Sequence, residues 1–142
     1  LTWFYNGKEF TELPEGYVGF VYILTHKKSG KYYIGKKIFH FKKTKQVKGK
    51  KKRFLVESDW KVYYGSSDEV ASVIQQEGEN SFDRKILRLC KSKAELSYFE
   101  AKYQFEKDAL LDPNSYNSWI SVRVRRAHLA KLIKELENGI PE

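Results

Sequence analysis

The sequence has one cysteine, three histidines and no methionine, and none of its apolar runs exceeds the length of a strand. Each shortage excludes something. Cys90 alone cannot build a disulfide framework. His26, His40 and His128 are too widely separated for zinc-ligand spacing, so any metal has to sit on oxygen. Without a long hydrophobic run, neither a membrane span nor a secretory leader is expected, which makes the cytoplasm the expected setting; the missing methionine suggests a trimmed N-terminus. What remains is 142 residues, 41% hydrophobic and 15% aromatic, enough for one core and one domain over 1–142.

The formal net charge is +9, and its placement says more than its size. From Lys27 to Lys61 there are fourteen Lys or Arg against Glu57 and Asp59, a local balance of +12. The rest of the chain carries thirteen basic and sixteen acidic residues, a balance of −3. A basic segment on a nearly neutral body suits a polyphosphate partner, because each Lys that displaces a condensed counterion gains entropy. A solvated lysine loop is the plainer reading of the same run.

Local signals order the rest. Trp3-Phe4-Tyr5 and Lys8-Glu9-Phe10 flank Asn6-Gly7, a pair favoured in type I′ turns, so residues 1–16 read as a hairpin. Tyr17 to Thr25 and Lys31 to Gly35 read as a second hairpin. The run from Lys42 to Lys52 within a basic insertion at 42–57 reads as a mobile loop that orders only against phosphate. Ser66 with Glu69 predicts a capped helix with Val70, Val73 and Ile74 inward, ended by Gly78. Phe82 to Leu89 reads as a strand of imperfect alternation. Ser92 with Glu95 opens a helix to about Leu111, with Leu96, Phe99, Tyr103 and Leu110 on one face. A basic amphipathic helix is expected at 122–138, with Val124, Ala127, Ile133 and Leu136 inward. This order predicts an α+β fold, a small antiparallel or mixed sheet flanked by helices.

With Lys27 to Gly30 as a four-residue loop, Tyr33 pairs with Leu24, and Tyr22 and Tyr33 share one face as diagonal neighbours. Two phenols converge there; near a metal or Lys, a tyrosine has a lowered pKa and can take a proton from water. Aromatic residues also favour strands for packing alone. Glu100 flanks the apolar stripe of its helix, as does Glu106 at the opposite edge, and periodicity does not choose between them. An ion pair of Glu100 with Lys93 is the structural alternative. Trp60 reads as core.

Phe20-Val21-Tyr22 followed by Tyr33-Ile34-Gly35, then a helix, a strand, a helix bearing Tyr98-Phe99-Glu100, and finally Tyr116-Asn117, resembles the GIY-YIG nuclease family. Phe20 stands where that family usually has Gly. The resemblance implies a metal-dependent DNA endonuclease of the stand-alone phage or homing type, acting in the cytoplasm, of the host if phage-encoded. Tyr22 would be general base with Tyr33 assisting, Glu100 would hold a single Mg²⁺ or Mn²⁺, and Asn117 would complete the site. The family's helical Arg is missing from Ser58 to Tyr64, which offers Lys61 and a tyrosine, Tyr63 or Tyr64, with Tyr64 carried as the site residue. Lys36 and Arg53 are the favoured replacements for the Arg on the developing phosphorane charge. Lys37, Lys42, Lys43, Lys45, Lys48, Lys50, Lys51 and Lys52 would grip the backbone of duplex or branched DNA without reading sequence. Arg125 and Arg126 could join from the C-terminal helix, although a helix with an apolar face also docks on its own domain. A catalytically inactive nucleic-acid-binding module and a basic phage regulator with a protein partner are the alternatives; monomer and homodimer both fit.

Overall fold

A computed structural model describes residues 2–139. Its centre is β3 (Gly19–His26), apolar along nearly its whole length because it is covered on both faces. It pairs antiparallel with β4 (Tyr32–Ile38) and with β7 (Phe82–Cys90). The N-terminal hairpin, β1 (Trp3–Tyr5) and β2 (Lys8–Phe10), joins through a parallel pairing of β1 with β7, giving a five-stranded mixed sheet in the order β2-β1-β7-β3-β4. Asn6 and Gly7 both have positive φ, 51° and 78°, as a type I′ turn requires. The fold is α+β.

One face of the sheet carries Trp3, Phe20, Tyr22, Leu24 and Ile86, packed with Phe39, Trp60 and Val70. Val70 comes from α1 (Asp68–Glu77), and Trp60 opens a short 3-10 turn, Trp60–Val62. Trp60 is fully buried, and its carbonyl accepts the Trp3 indole N–H at 2.6 Å. The other face carries Val21, Ile23, Ile34 and Cys90 under Leu96 and Phe99 of α2 (Lys93–Glu106) and Leu132 of α3 (Ala130–Glu137). Among the described residues no helix is long and apolar enough to cross a membrane.

Several expectations are corrected. The lysine run is not a loop: β5 (His40–Val47) and β6 (Lys50–Glu57) form a two-stranded antiparallel ribbon, separate from the main sheet. Lys48 and Gly49, at φ 51° and 77°, supply its tight turn. The imperfect alternation of β7 is a bulge. Phe20 pairs with Leu89 and Val21 with Arg88, but Tyr22 pairs with Ile86, so Leu87 is the extra residue. The α1 cap is Ser67, whose side chain accepts the Val70 N–H, not Ser66. In α2, Ser92 caps Glu95 as expected, while the Glu95 carboxylate takes the Lys91 N–H, at 3.4 Å. That helix stops at Glu106 because Asp108 turns to φ 51°, which leaves Leu110 about half exposed. The C-terminal helix is shorter than read, a 3-10 turn at Arg126–Leu129 followed by α3. The later start shifts its phase, so Leu132 is buried while Ala127 and Leu136 are exposed.

Candidate active site

The register Leu24↔Tyr33 and Tyr22↔Gly35 sets the site. Tyr22 and Tyr33 lie on the same face, their rings 6.4 Å apart and tilted by 40°. Gly35 faces Tyr22 directly, and a Cβ built there would overlap the Tyr22 hydroxyl and ring. The glycine is therefore a space requirement: the phenol of Tyr22 reaches across the strand to the sheet edge.

β4 is that edge, and its outward backbone groups are satisfied one after another. Tyr32 donates its N–H to the Asn114 carbonyl and accepts from the Tyr116 N–H, at 3.0 and 2.7 Å. The Asn117 side chain then continues the ladder: its Oδ1 accepts the Ile34 N–H at 2.9 Å and its Nδ2 donates to the Ile34 carbonyl at 2.8 Å. Gln104 donates to that same carbonyl at 3.0 Å. Two residues further on, the Glu100 carboxylate lies beside Lys36. The segment after α2 and the helix itself thus cover an edge that would otherwise offer bare donors and acceptors.

A cavity of about 680 Å³ opens at this edge. Tyr22, Tyr33, Lys36, Glu100 and Asn117 all line it, although they come from β3, β4, α2 and the segment after α2. The Tyr33 hydroxyl is 3.1 Å from Ser66 Oγ. Lys36 Nζ lies 3.8 Å from Glu100 Oε1 and 3.0 Å from Ser97 Oγ, so the partner of Glu100 is Lys36 and not Lys93. Burial raises the Glu100 pKa above the usual carboxylate range, with Lys36 opposing that rise. Burial also raises Tyr22 well above 10, helped by the neighbouring Tyr63 and Tyr33, and raises Tyr33, against the Ser66 hydrogen bond. Without a metal the two tyrosines are raised, and Lys36 alone does not lower them. Lys36 is the only Lys or Arg among the described lining residues, and desolvation dominates.

Other expected residues lie elsewhere. Arg53 is on the ribbon opposite Thr44, and Lys61 is exposed beside Glu57 at 3.9 Å; neither lines the cavity. Of the two candidate tyrosines, Tyr63 packs edge-on against Tyr22 at 6.0 Å, while Tyr64 lies against the Arg84 guanidinium at 4.4 Å. Arg84 is buried and donates to the carbonyls of Lys61 and Tyr63, which fixes the 3-10 turn behind the site. Lys37 is nearly buried, paired with Asp59 at 2.6 Å and lying over the Tyr63 ring at 3.9 Å, so it braces the site from behind. Arg125 and Arg126 are exposed at the start of the C-terminal 3-10 turn. Cys90 is buried and its thiol is pushed up to about 12, which makes it inert.

The sequence reading missed Asp68 and Glu69, which line the cavity from the first turn of α1, and Tyr116 and Trp119. The signal was the acidic pair at the helix start, of which the sequence reading used only Glu69, in a capping box with Ser66. Among the described residues, no three His, Cys, Asp or Glu side chains converge as a metal cage. Neither the curated proteins nor the solved structures gave a match. The family model described as "Putative endonuclease segE, GIY-YIG domain" matches residues 3–120, a span that holds both tyrosines, the glycine that makes room for Tyr22, and Glu100. The chain therefore belongs to the GIY-YIG nuclease family.

Proposed function

We propose that the protein is a metal-dependent DNA endonuclease that hydrolyses phosphodiester bonds in the cavity at the β4 edge. One observation carries this reading. Tyr22, Tyr33, Lys36 and Glu100, from three separate elements, meet in one solvent-open cavity, in a chain whose family is one of nucleases. In the same reading residues 17–120 form the catalytic core of a single domain, and the protein acts in the cytoplasm as a stand-alone phage-type or homing-type enzyme.

The donor set fits a hard divalent ion. Glu100 turns a partly buried carboxylate into the cavity, where burial raises its pKa and Lys36, 3.8 Å away, offsets that rise only in part. A single carboxylate suits Mg²⁺ or Mn²⁺, which retain waters and accept phosphate oxygens as further ligands. When bound, such an ion polarises the scissile phosphate and neutralises part of its charge. The chain's own residues do the rest. Lys36 places its ammonium against a phosphate oxygen and stabilises charge that develops there. Tyr22 accepts the proton of the attacking water, and Tyr33, tied to Ser66, orients that water or relays the proton. Asn117 acts by holding Ile34, and through it the strand that carries Tyr33 and Lys36. The exposed lysines of the ribbon and Arg53 attract the polyanion.

A second reading, nucleic-acid binding without cleavage, is favoured by one feature: no Arg lines the cavity among the described residues, and Lys36 offers only a point charge. Supercoiled plasmid incubated with Mg²⁺ or with chelator, alongside gel-shift binding of the same DNA, separates the two. Chelator-sensitive nicking that is lost in Glu100→Gln with binding intact supports the nuclease. Binding with no cutting of plasmid or branched DNA supports the inactive module.

A further inference from the structure

We propose that the β5–β6 ribbon enters the major groove of duplex DNA with the face bearing Thr44, Gln46, Lys51 and Arg53 turned to the base pairs, so that the basic segment reads sequence as well as binding phosphate. This rests on the nucleic-acid reading of the cavity and adds a groove, a face and a reading function to it.

Among the described residues the ribbon has no protein partner for most of its length. It pairs only with itself, and both strands are exposed at nearly every position. A lone two-stranded ribbon in water is marginal. This one carries an added cost, because eight Lys or Arg stand against Glu57 alone between residues 40 and 57, and Lys45 lies directly opposite Lys52. Like charges facing each other across a strand pair destabilise it. A bound polyanion offsets that cost.

Its shape narrows the partner further. Eight residues per strand extend about 26 Å, and two strands about 4.8 Å apart, with their side chains, match a major groove about 12 Å wide. A-form RNA has a major groove too narrow to admit side chains, so duplex DNA is the better fit.

The two faces differ in chemistry. Cross-strand pairs Phe41↔Val56, Lys43↔Phe54 and Lys45↔Lys52 share one face, which is apolar at the root and lysine-rich towards the tip. Pairs His40↔Glu57 and Lys42↔Leu55 at the root and Thr44↔Arg53 and Gln46↔Lys51 towards the tip share the other. That second face sets a hydroxyl, a guanidinium, an amide and an ammonium side by side, the groups that discriminate base edges: Arg or Lys for guanine, Gln for adenine, and Thr for the thymine methyl. Lysines on the first face have stems long enough to reach back to the phosphates of the groove walls.

The root is fixed. Phe39 is fully buried, its carbonyl accepts the Ser58 N–H at 2.7 Å, and the Ser58 hydroxyl donates to the Ile38 carbonyl at 2.6 Å. The strand that enters the ribbon is β4, which also carries Tyr33 and Lys36. A groove held by the ribbon is therefore held in a set relation to the cavity.

The test uses the full chain with chelator, so that binding is measured apart from cleavage. Fluorescence anisotropy compares a duplex of about 30 base pairs, the same duplex with bulky 5-substituents on its pyrimidines that fill the major groove, and the same duplex saturated with distamycin in the minor groove. Binding is expected to weaken at least about tenfold with the substituted duplex and to stay within about twofold with distamycin. Selection from random duplexes is expected to return a sequence preference with the wild type that Gln46→Ala and Arg53→Ala flatten. Competition by distamycin, indifference to the substituents, or an unchanged preference in both variants would overturn the ribbon proposal while leaving the nuclease reading standing. Failure of the wild type to cut DNA, with the groove dependence intact, would overturn the nuclease reading alone.

Discussion

Gly35 lies opposite Tyr22 across the β3–β4 pair, in the space that the Tyr22 phenol needs. Gly35→Ala is therefore expected to destabilise the fold by about 1–3 kcal/mol through overpacking and to displace the phenol from the cavity. The cost should shrink in a Tyr22→Ala background, because the overlap is with the ring and hydroxyl of that residue. Urea unfolding of the two single variants and the double variant measures the coupling; additive costs would contradict it.

Glu100 is set against stability. Its raised pKa means that the folded state disfavours the ionised form. Stability from this group is fully present below the ordinary Glu value of about 4.3 and is lost as pH rises through the raised folded value. At neutral pH, Glu100→Gln removes the charge yet keeps an acceptor beside Lys36, so metal-free protein should melt higher, by up to about 3 °C, while cleavage disappears. The melting difference should vanish below about pH 4. Melting curves at pH 4 and pH 7 check this, and a lower melting point at pH 7 would refute it.

Because burial holds Tyr22 and Tyr33 above their ordinary range, both are protonated at neutral pH. If Tyr22 takes the proton of the attacking water, the ionised fraction grows as pH rises. Single-turnover cleavage should then accelerate by about tenfold per pH unit between pH 6 and 9. A flat profile, or one that falls with pH, would remove Tyr22 from that role.

Asn117 makes two hydrogen bonds to the Ile34 backbone, so Asn117→Ala should cost about 2–4 kcal/mol of stability by leaving a buried N–H unsatisfied. Its effect on cleavage should follow from stability, with the rate at low temperature reduced less than about tenfold. A variant that is fully stable and inactive would make Asn117 a chemical participant instead.

How far these features could be read in the sequence depended on whether the signal was local. The Leu24↔Tyr33 register follows from the length of the turn between the strands, and Asn6-Gly7 specifies its own turn, so both were legible. The ribbon was not, because its lysines masked the strand-favouring residues Phe41, Thr44, Phe54 and Val56, and Lys48-Gly49 is a less familiar turn pair than Asn-Gly. The bulge at Leu87 and the position of Arg84 behind the site arise from pairing with distant segments, which period and propensity do not record. Lys36 was legible as a neighbour of Gly35, but its pairing with Glu100 at 3.8 Å depends on where α2 docks. Arg53 was misplaced because an insertion read as a loop can seem to fold back to the site, whereas a ribbon cannot.

The central claim is that Tyr22 and Glu100 serve one metal-dependent reaction in one cavity. Single-turnover cleavage of supercoiled plasmid, and of branched DNA, by wild type, Tyr22→Phe, Glu100→Gln and the double variant tests it most directly, each with Mg²⁺ and with chelator. The expected result is cutting by wild type with Mg²⁺ only, a loss of at least about a hundredfold in each single variant, and no further loss in the double variant, as for residues that act as a unit. Wild-type rates in either single variant, or cutting that persists in chelator, would contradict it.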